Sequence, residues 1–296
     1  MAIDTIPAPL ISAVVIARNE SSNLRGTVEN LQETLPERSE ILVVDDGSTD
    51  GGSDFLKQRA ANVRLIRSKN LGVARARNIG ARKTRGEVIV FADAHIRLPP
   101  DWWKPLVTLL ANPRIGAVAP AICDWNCERR KGFGLHLPGP ELKAEWLLRQ
   151  GDDPYPVPIL PGCCLGMRRE TFEATGGFDG GLISTGGVDN ELGVRFWLLG
   201  YELWVVPNVE VVHLFRAGFP YPVIWKTALH NRLRLAFAHF SARRITEVLA
   251  ALRRYDALRQ ALTLIVQSDI AAWRAQLASC RVRDDEWFFS RFGRGW

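Results

Sequence analysis

Short, mostly apolar runs at residues 10–17 (LISAVVIA), 41–44 (ILVV), 63–66 (VRLI) and 88–91 (VIVF) punctuate the N-terminal part of the chain. Between them lie polar stretches whose apolar positions recur every three or four residues, the spacing of a helix with one buried face. The alternation predicts βαβα units. Runs such as Val14-Val15-Ile16 and Leu42-Val43-Val44 carry no polar side, so these strands are expected to be covered on both faces, as in a parallel sheet between helical layers. Ligands bind such sheets beyond the carboxyl ends of the strands. The residues just past the runs are Arg18-Asn19-Glu20, Asp45-Asp46-Gly47-Ser48 and Asp93-Ala94-His95, all polar and rich in ligating groups.

From about Pro120 the alternation gives way to Gly- and Pro-rich sequence. It resumes with an expected helix over residues 189–199 and an expected strand near 209–213. Beyond Arg216 the pattern is helical to about Cys280, with a break near Ser241 and a final aromatic segment at 284–289. Two units are therefore expected, residues 1–216 and a helical extension, 217–296.

Composition narrows the choice. The 296 residues are 47% hydrophobic and 24% charged, which excludes a disordered chain. The run at 10–17 has no cationic segment before it and meets Arg18 at once, so it reads as a strand and not a leader. Charges interrupt every other apolar stretch before it reaches the ~18 residues of a membrane span. Five cysteines, an odd number that includes the adjacent pair Cys163-Cys164, do not form a disulfide framework. A cytoplasmic location, soluble or peripheral at a membrane, is expected. The net charge of +6 is uneven: residues 1–215 hold 24 basic and 26 acidic side chains, and residues 216–296 hold 14 and 6. The basic extension carries Trp273, Trp287, Phe288, Phe289 and Trp296, a mixture suited to an anionic membrane surface or acceptor. Packing of these helices on the first unit is the other reading. No nucleic-acid module is recognisable, and no nucleic-acid partner is expected.

Three segments carry candidate chemistry. Carboxylates at the end of VVDDGSTD can accept from a uracil N–H or ribose hydroxyls, although Asp and Ser are equally at home capping a helix. The segment NLGVARARNIG opens a helix with small residues and arginines, which suits a diphosphate at a helix N-terminus or simply a basic helix face. In FADAH, Asp93 and His95 are two apart in extended chain and share one side, so both can hold one divalent ion. His213 leaves a later apolar strand in a similar way. An Asp and two His suit Mn2+, with Mg2+ or another divalent ion also open. Neither a P-loop nor a GxGxxG turn is present, and Cys123, Cys127 and His136 lack the second ligand pair of a zinc site.

The order Arg18-Asn19-Glu20, VVDDGSTD, GVARARNIGA and FADAH resembles the nucleotide half of the family-2 glycosyltransferases with the GT-A fold. The variant in which His replaces the second carboxylate of DxD, with His213 as third ligand, resembles the polypeptide N-acetylgalactosaminyltransferases. The resemblance covers about residues 10–216. It implies a mostly parallel, Rossmann-like α/β sheet flanked by helices, and a nucleotide-sugar donor, UDP-linked first, with a divalent metal cofactor. It places Arg18, Asn19, Glu20, Asp46, Arg75, Asn78 and Asp93 on the donor side, with Asp46 at the uracil and Arg75 at the nucleotide or phosphates. Asp93, His95 and His213 are the implied metal ligands. The loops 160–166 and 176–179 resemble the floor of the sugar pocket, where glycines admit the donor close to the backbone.

The stretch Gly186-Gly187-Val188-Asp189-Asn190-Glu191, with Arg195 and His213-Leu214-Phe215-Arg216, continues the likeness. Where the polypeptide transferases have GGEN this chain has GGVD, which favours inverting over retaining transfer and leaves Asp189 as general base, with Glu191 as second candidate. The alternatives are a retaining transferase acting on protein Ser/Thr and a non-catalytic nucleotide-sugar-binding protein. The acceptor, whether glycan, lipid-linked, peptide or small molecule, is not specified.

Overall fold

The structure is a computed structural model that describes residues 11–58, 61–216, 218, 224–293 and 296. The four expected strands are β1 (Ile11–Ala17), β2 (Glu40–Asp45), β3 (Val63–Arg67) and β4 (Val88–Asp93), with α1 (Ser22–Thr34) after β1 and α2 (Val73–Arg82) before β4; Leu10 lies outside the described residues. All four run parallel, in the order β4-β1-β2-β3. Alternation along β1 sends Val14 to one face, toward α2, and Ala13 and Val15 to the other, where Leu24, Val28 and Leu31 of α1 cover them. Both faces are dry, which is why the runs lack polar positions.

The chain continues through β5 (Ile96–Arg97), α3 (Trp103–Leu110), β6 (Ile115–Asp124), β7 (Cys127–Gly132), β8 (Leu135–His136), β9 (Glu145–Trp146), β10 (Tyr155–Pro156), β11 (Cys164–Arg168), α4 (Arg169–Ala174), α5 (Val188–Leu198) and β12 (Glu202–His213). These complete a ten-stranded sheet, order β10-β12-β6-β11-β4-β1-β2-β3, with β5 beside β12 and β7 beside β6. β11 is antiparallel to both β4 and β6, so the second half is mixed. Sequence patterning missed β6 and β11 and started β12 late. β6 reads IGAVAPAICD and every position is buried; its small residues and Pro120 hide the strand from a periodicity argument. Pro120 has no N–H for a ladder, and it sits where the pairing with β12 shifts, from Val206 opposite Pro120 to Glu210 opposite Ala121.

The extension folds as α6 (Trp225–His239), α7 (Ala242–Leu252), α8 (Leu258–Val266), α9 (Ile270–Cys280) and α10 (Asp285–Phe292). Its Leu229, Leu233, Phe240, Phe288 and Phe289 belong to the same apolar core as Val14 and Phe91 of the sheet. The aromatics that made an interface plausible turn inward: Trp287 lies 5.9 Å from Trp197, Phe289 5.2 Å from Phe240 and 4.4 Å from Trp296. Trp287 thus packs on the first unit and Phe289 within the extension itself. Among the described residues no helix is long and apolar enough to cross a membrane.

A buried ion pair joins the two parts. Glu191 of α5, fully buried, accepts from Arg195 Nε at 2.8 Å and Nη2 at 3.1 Å and meets His239 Nε2 of α6 at 3.0 Å. Arg195 also donates to the carbonyls of Thr175 and Gly177. Burial alone would raise the Glu191 carboxyl; the charges of Arg195 and His239 and their hydrogen bonds outweigh it and hold the carboxyl at about 2, below its ordinary 4.5. A depressed carboxyl contributes stability above its unfolded pKa and loses it as pH falls through the folded one. Glu191→Gln should cost ~3–5 kcal/mol at neutral pH in urea unfolding, because Arg195 is left buried and unpaired. The gap to the wild type should narrow as pH falls from 4.5 toward about 2; a gap constant over that window would contradict the assignment.

Candidate active site

The parallel strands end on one edge, and a pocket of about 440 Å³ opens there. Ile16 to Arg18 at the end of β1, Asp46 after β2, and Asp93 and His95 at the end of β4 line one side; His213 to Arg216 at the end of β12, Pro161 to Cys163 before β11, and Ser184 to Asp189 leading into α5 line the other. The first turns of α2 point into it through Gly72, Val73, Ala76 and Arg77. Trp146, carried by the β8-β9 hairpin and not singled out by the sequence, stands edge-on to Phe215 at 5.8 Å and closes one end.

Asp93, His95 and His213 converge as expected. One potential ligand atom from each lies within 4.8 Å of the others, His213 Nε2 is 3.5 Å from Asp93 Oδ2, and the two imidazole centroids are 4.7 Å apart. Their meeting follows from pairing: β5 is antiparallel to the end of β12, with His213 opposite Ile96. His95 Nδ1 faces Glu20 Oε2 at 3.1 Å. A carboxylate can only accept, so this nitrogen donates, which leaves Nε2 as the His95 atom that can face an ion. Glu20 also pairs with Arg216. Its own burial would raise the Glu20 carboxyl, but His95 and Arg216 more than offset that and lower it. Desolvation likewise opposes ionisation of Asp93, yet His213, Arg77 and His95 hold its carboxyl at about 2. A carboxylate that stays ionised beside two imidazoles is a mixed O/N donor set that fits a divalent ion of the Mn2+ kind. His213 Nδ1 is buried without a hydrogen-bond partner.

The expected donor-side residues divide. Arg18 lines the pocket and bonds Asn70. Asp46 lines it too, but both its oxygens accept from the turn before α2: Oδ1 from Ser68 Oγ and Leu71 N, each at 2.7 Å, and Oδ2 from Gly72 N at 2.8 Å. Its carboxylate thus anchors the loop that opens α2. Asn19, with φ 55, accepts from Thr49 N at 2.8 Å and is a hinge of the neighbouring turn, not a pocket wall. Arg75 is a correction. It is exposed and donates to the Gly180 carbonyl at 2.6 Å, away from the pocket. Asn78 is another: buried, it exchanges bonds with the backbone of Phe178, both at 2.8 Å. Glu191 is the third, since it is fully buried against Arg195 and His239 and does not line the pocket.

Arg77, not Arg75, is the arginine of α2 that lines the pocket. It lies two residues on, about 200° round the helix, on the face shared with Ala74 and Ala81, and its side chain is 4% exposed. Its guanidinium donates to Gly162 O at 2.6 Å, to Asp189 Oδ1 at 3.2 Å and to Asp93 Oδ1 at 3.4 Å, and lies 5.2 Å from the Phe178 ring centroid. The small residues three before and four after it were the available signal. Asp189 does not cap α5; its Oδ2 accepts from Gly162 N at 2.9 Å, so its carboxylate is pinned at both oxygens on the pocket wall. A Cβ at Gly162 would fall 2.2 Å from Asp189 Oδ1 and 2.6 Å from Arg77 Nη1; only glycine admits this contact.

Residues 12–176, more than half of the chain, match the family model for Glycosyl transferase family 2. The chain belongs to glycosyl transferase family 2. This family-2 chain is similar to polypeptide N-acetylgalactosaminyltransferase 15 of Homo sapiens, 31% identical over 258 residues that cover 77% of this chain and 39% of the relative. It is also similar to polypeptide N-acetylgalactosaminyltransferase 11 of Xenopus tropicalis, 33% identical over 254 residues, 77% of this chain and 42% of the relative. It spans about two fifths of the length of these relatives. The crystal structure of GalNAc-T7 with UDP, GalNAc and Mn2+ matches with a TM-score of 0.79 at 22% identity, over 97% of this chain and 57% of that one. The mannosyltransferase PcManGT from Pyrobaculum calidifontis in complex with GDP-Man and Mn2+ gives 0.55 at 21%, over 92% and 80%. These likenesses establish the fold: GT-A, a central sheet flanked by helices, with a helical C-terminal region.

The division of labour between the two arginines is measurable. Arg77→Lys keeps the charge but loses the planar fork, and should cost ~1–3 kcal/mol in urea unfolding. Arg75→Ala, at the surface, should stay within about 0.5 kcal/mol. The reverse order would restore Arg75 to the site.

Proposed function

We propose that the protein transfers a sugar from a nucleoside diphosphate, UDP first, to an acceptor hydroxyl, with a divalent metal ion as cofactor. The carrying observation is the convergence of Asp93, His95 and His213 on one edge of a pocket in a family-2 glycosyltransferase fold. Mn2+ accompanies the nucleotide in both similar solved structures, which supports the same cofactor here. Asp93, His95 and His213 would hold the ion, and Glu20 would orient His95 from behind. When bound, such an ion supplies charge neutralisation for a diphosphate leaving group.

The chain's own residues provide the rest. Arg77 fixes the Asp189 carboxylate and the Gly162 backbone against the pocket, so the base is oriented before any acceptor arrives. Each Asp189 oxygen keeps a lone pair beyond the one it uses, and the side chain is 32% exposed. Asp189 removes the proton of the acceptor hydroxyl, the oxygen attacks the anomeric carbon, and the bond from that carbon to the diphosphate oxygen breaks with its electrons leaving on the nucleotide. One displacement inverts the anomeric centre. A second reading, retaining transfer to protein Ser/Thr, draws support from the polypeptide acceptors named for the similar N-acetylgalactosaminyltransferases.

Mn2+ titrated calorimetrically into the protein should bind at one site, and His213→Ala should weaken it by more than the ~10–100-fold typical of losing an outer-shell partner. Unchanged affinity would remove His213 from the ligand set.

Hydrolysis of UDP-sugars should require divalent metal and stop on chelation, which a non-catalytic sensor would not show. Asp189→Asn should leave Mn2+ and UDP affinity near wild type and cut turnover by ~10²–10⁴; near-normal turnover would overturn its role as base. The anomeric proton of the product, read by NMR, separates inversion from retention.

A further inference from the structure

The segment from Asp179 to Gly187 forms one wall of the pocket, through Ser184 to Gly187, yet it has no regular structure of its own. Two of its anchors come from α2: a bond from Val73 N to Ser184 O at 2.9 Å and one from Arg75 to Gly180 O. From the opposite side it is held by two buried polar side chains of α6, in the C-terminal extension. Both Asn231 and Arg234 are 1% exposed, and an amide or a guanidinium at that depth needs partners.

Asn231 finds them along the segment's backbone. Its Oδ1 accepts from Ile183 N at 2.9 Å, and its Nδ2 donates to Ile183 O at 2.9 Å and Gly186 O at 2.8 Å, with Thr185 O at 3.3 Å. Arg234 places its fork on Asp179, Nε to Oδ2 at 2.6 Å and Nη2 to Oδ1 at 2.8 Å, and reaches Asp269 with Nη1 at 2.7 Å. Gly181 lies so close over that guanidinium that a Cβ there would fall 1.9 Å from Cζ.

We propose that Asn231 is a positioning residue for transfer, because it sets which way the peptide units of the pocket wall face. This rests on the glycosyltransferase reading of the pocket. None of the described peptides is cis, and in a trans peptide the N–H points opposite to the C=O. Drawing the carbonyls of Thr185 and Gly186 back onto Asn231 turns the N–H groups of Gly186 and Gly187 forward, and both residues line the pocket. Gly187 is also the residue from which α5 starts. The wall thus presents donors and the positive end of peptide dipoles where a diphosphate or a departing negative charge would sit, and keeps carbonyl oxygens away from it. Asp189, two residues on, inherits its place on the wall from the same restraint. The C-terminal extension, which has no residue in the metal triad, in this way becomes part of the catalytic unit.

The test compares Asn231→Ala and Asn231→Asp with Leu235→Ala, a buried α6 substitution that destabilises but removes no hydrogen bond to the wall. Asp keeps the acceptor for Ile183 N but loses the donor to the carbonyls. All are assayed with UDP-GalNAc and Mn2+ at a temperature where urea curves show each variant folded. Both Asn231 variants should lower kcat by about 10²-fold, the scale of a misplaced reacting group, with a smaller change in KM, and Leu235→Ala should keep wild-type kcat per folded molecule. Hydrogen exchange adds an arm independent of activity. In Asn231→Ala the amides of residues 183–190 should exchange at least about tenfold faster while those of β1 and β4 do not. Wild-type kcat per folded molecule in the Asn231 variants, or unchanged exchange in the wall, overturns the proposal. If the wild type turns over neither UDP-GalNAc nor GDP-mannose, the functional reading fails on its own, and the exchange arm still decides whether Asn231 holds the wall.

Discussion

A single positive charge organises the pocket. Arg77, 4% exposed, sits among a backbone carbonyl and two carboxylates, Asp93 and Asp189, that arrive from elements far apart in the chain. Two carboxylates drawn together on a pocket wall would repel; a guanidinium that donates to both removes that cost and, being planar, also fixes their orientation. The end of β4, the loop before β11 and the first turn of α5 are thereby tied to α2. The proposed metal triad stands at one end of this bridge and the proposed base at the other, which sets their separation through covalent and hydrogen-bonded geometry before any ligand enters.

Behind that bridge lies a second layer of buried charge. Glu191 with Arg195 and His239, and Asp179 with Arg234, link α5 and the pocket wall to α6. A buried pair is costly to break because the survivor is left without solvent or partner. The extension beyond Arg216 is therefore bound to the sheet by ionic contacts as well as by the apolar core it shares. Some of its net positive charge is spent internally, in the Arg234 pair with Asp179, so that charge does not all face solvent.

Much of the site was legible along the chain. Doubly covered strands of a parallel sheet must be apolar throughout, so their exits announce themselves as the first polar residues after each run. That logic located Asp46, Asp93, His95 and His213. Period-two geometry paired Asp93 with His95, and the likeness to family-2 enzymes joined His213 to them across more than a hundred residues. β6 escaped because a strand buried on both sides can be built from Gly, Ala and Pro, residues that carry no periodic signal.

What the sequence by itself determined was the local direction of each side chain: which residues leave a strand at its ligand-binding end, and which positions share a helix face. What only the tertiary structure decided was what each face meets. Arg75 and Arg77 are equivalent as residue types, and they differ because one side of α2 packs on the loops before β11 and α5 while the other looks outward. Glu191 and Asp189 are both acidic residues in the first turn of one helix, yet one points at His239 and the other at the pocket. The aromatics of the extension could have faced a membrane as readily as Trp197. Periodicity fixes angles within an element; charge, burial and chemical role depend on neighbours far along the chain, as with Asn231 and Ile183 at a separation of 48 or Arg216 and Glu20 at 196, and those distances are set only when the elements pack.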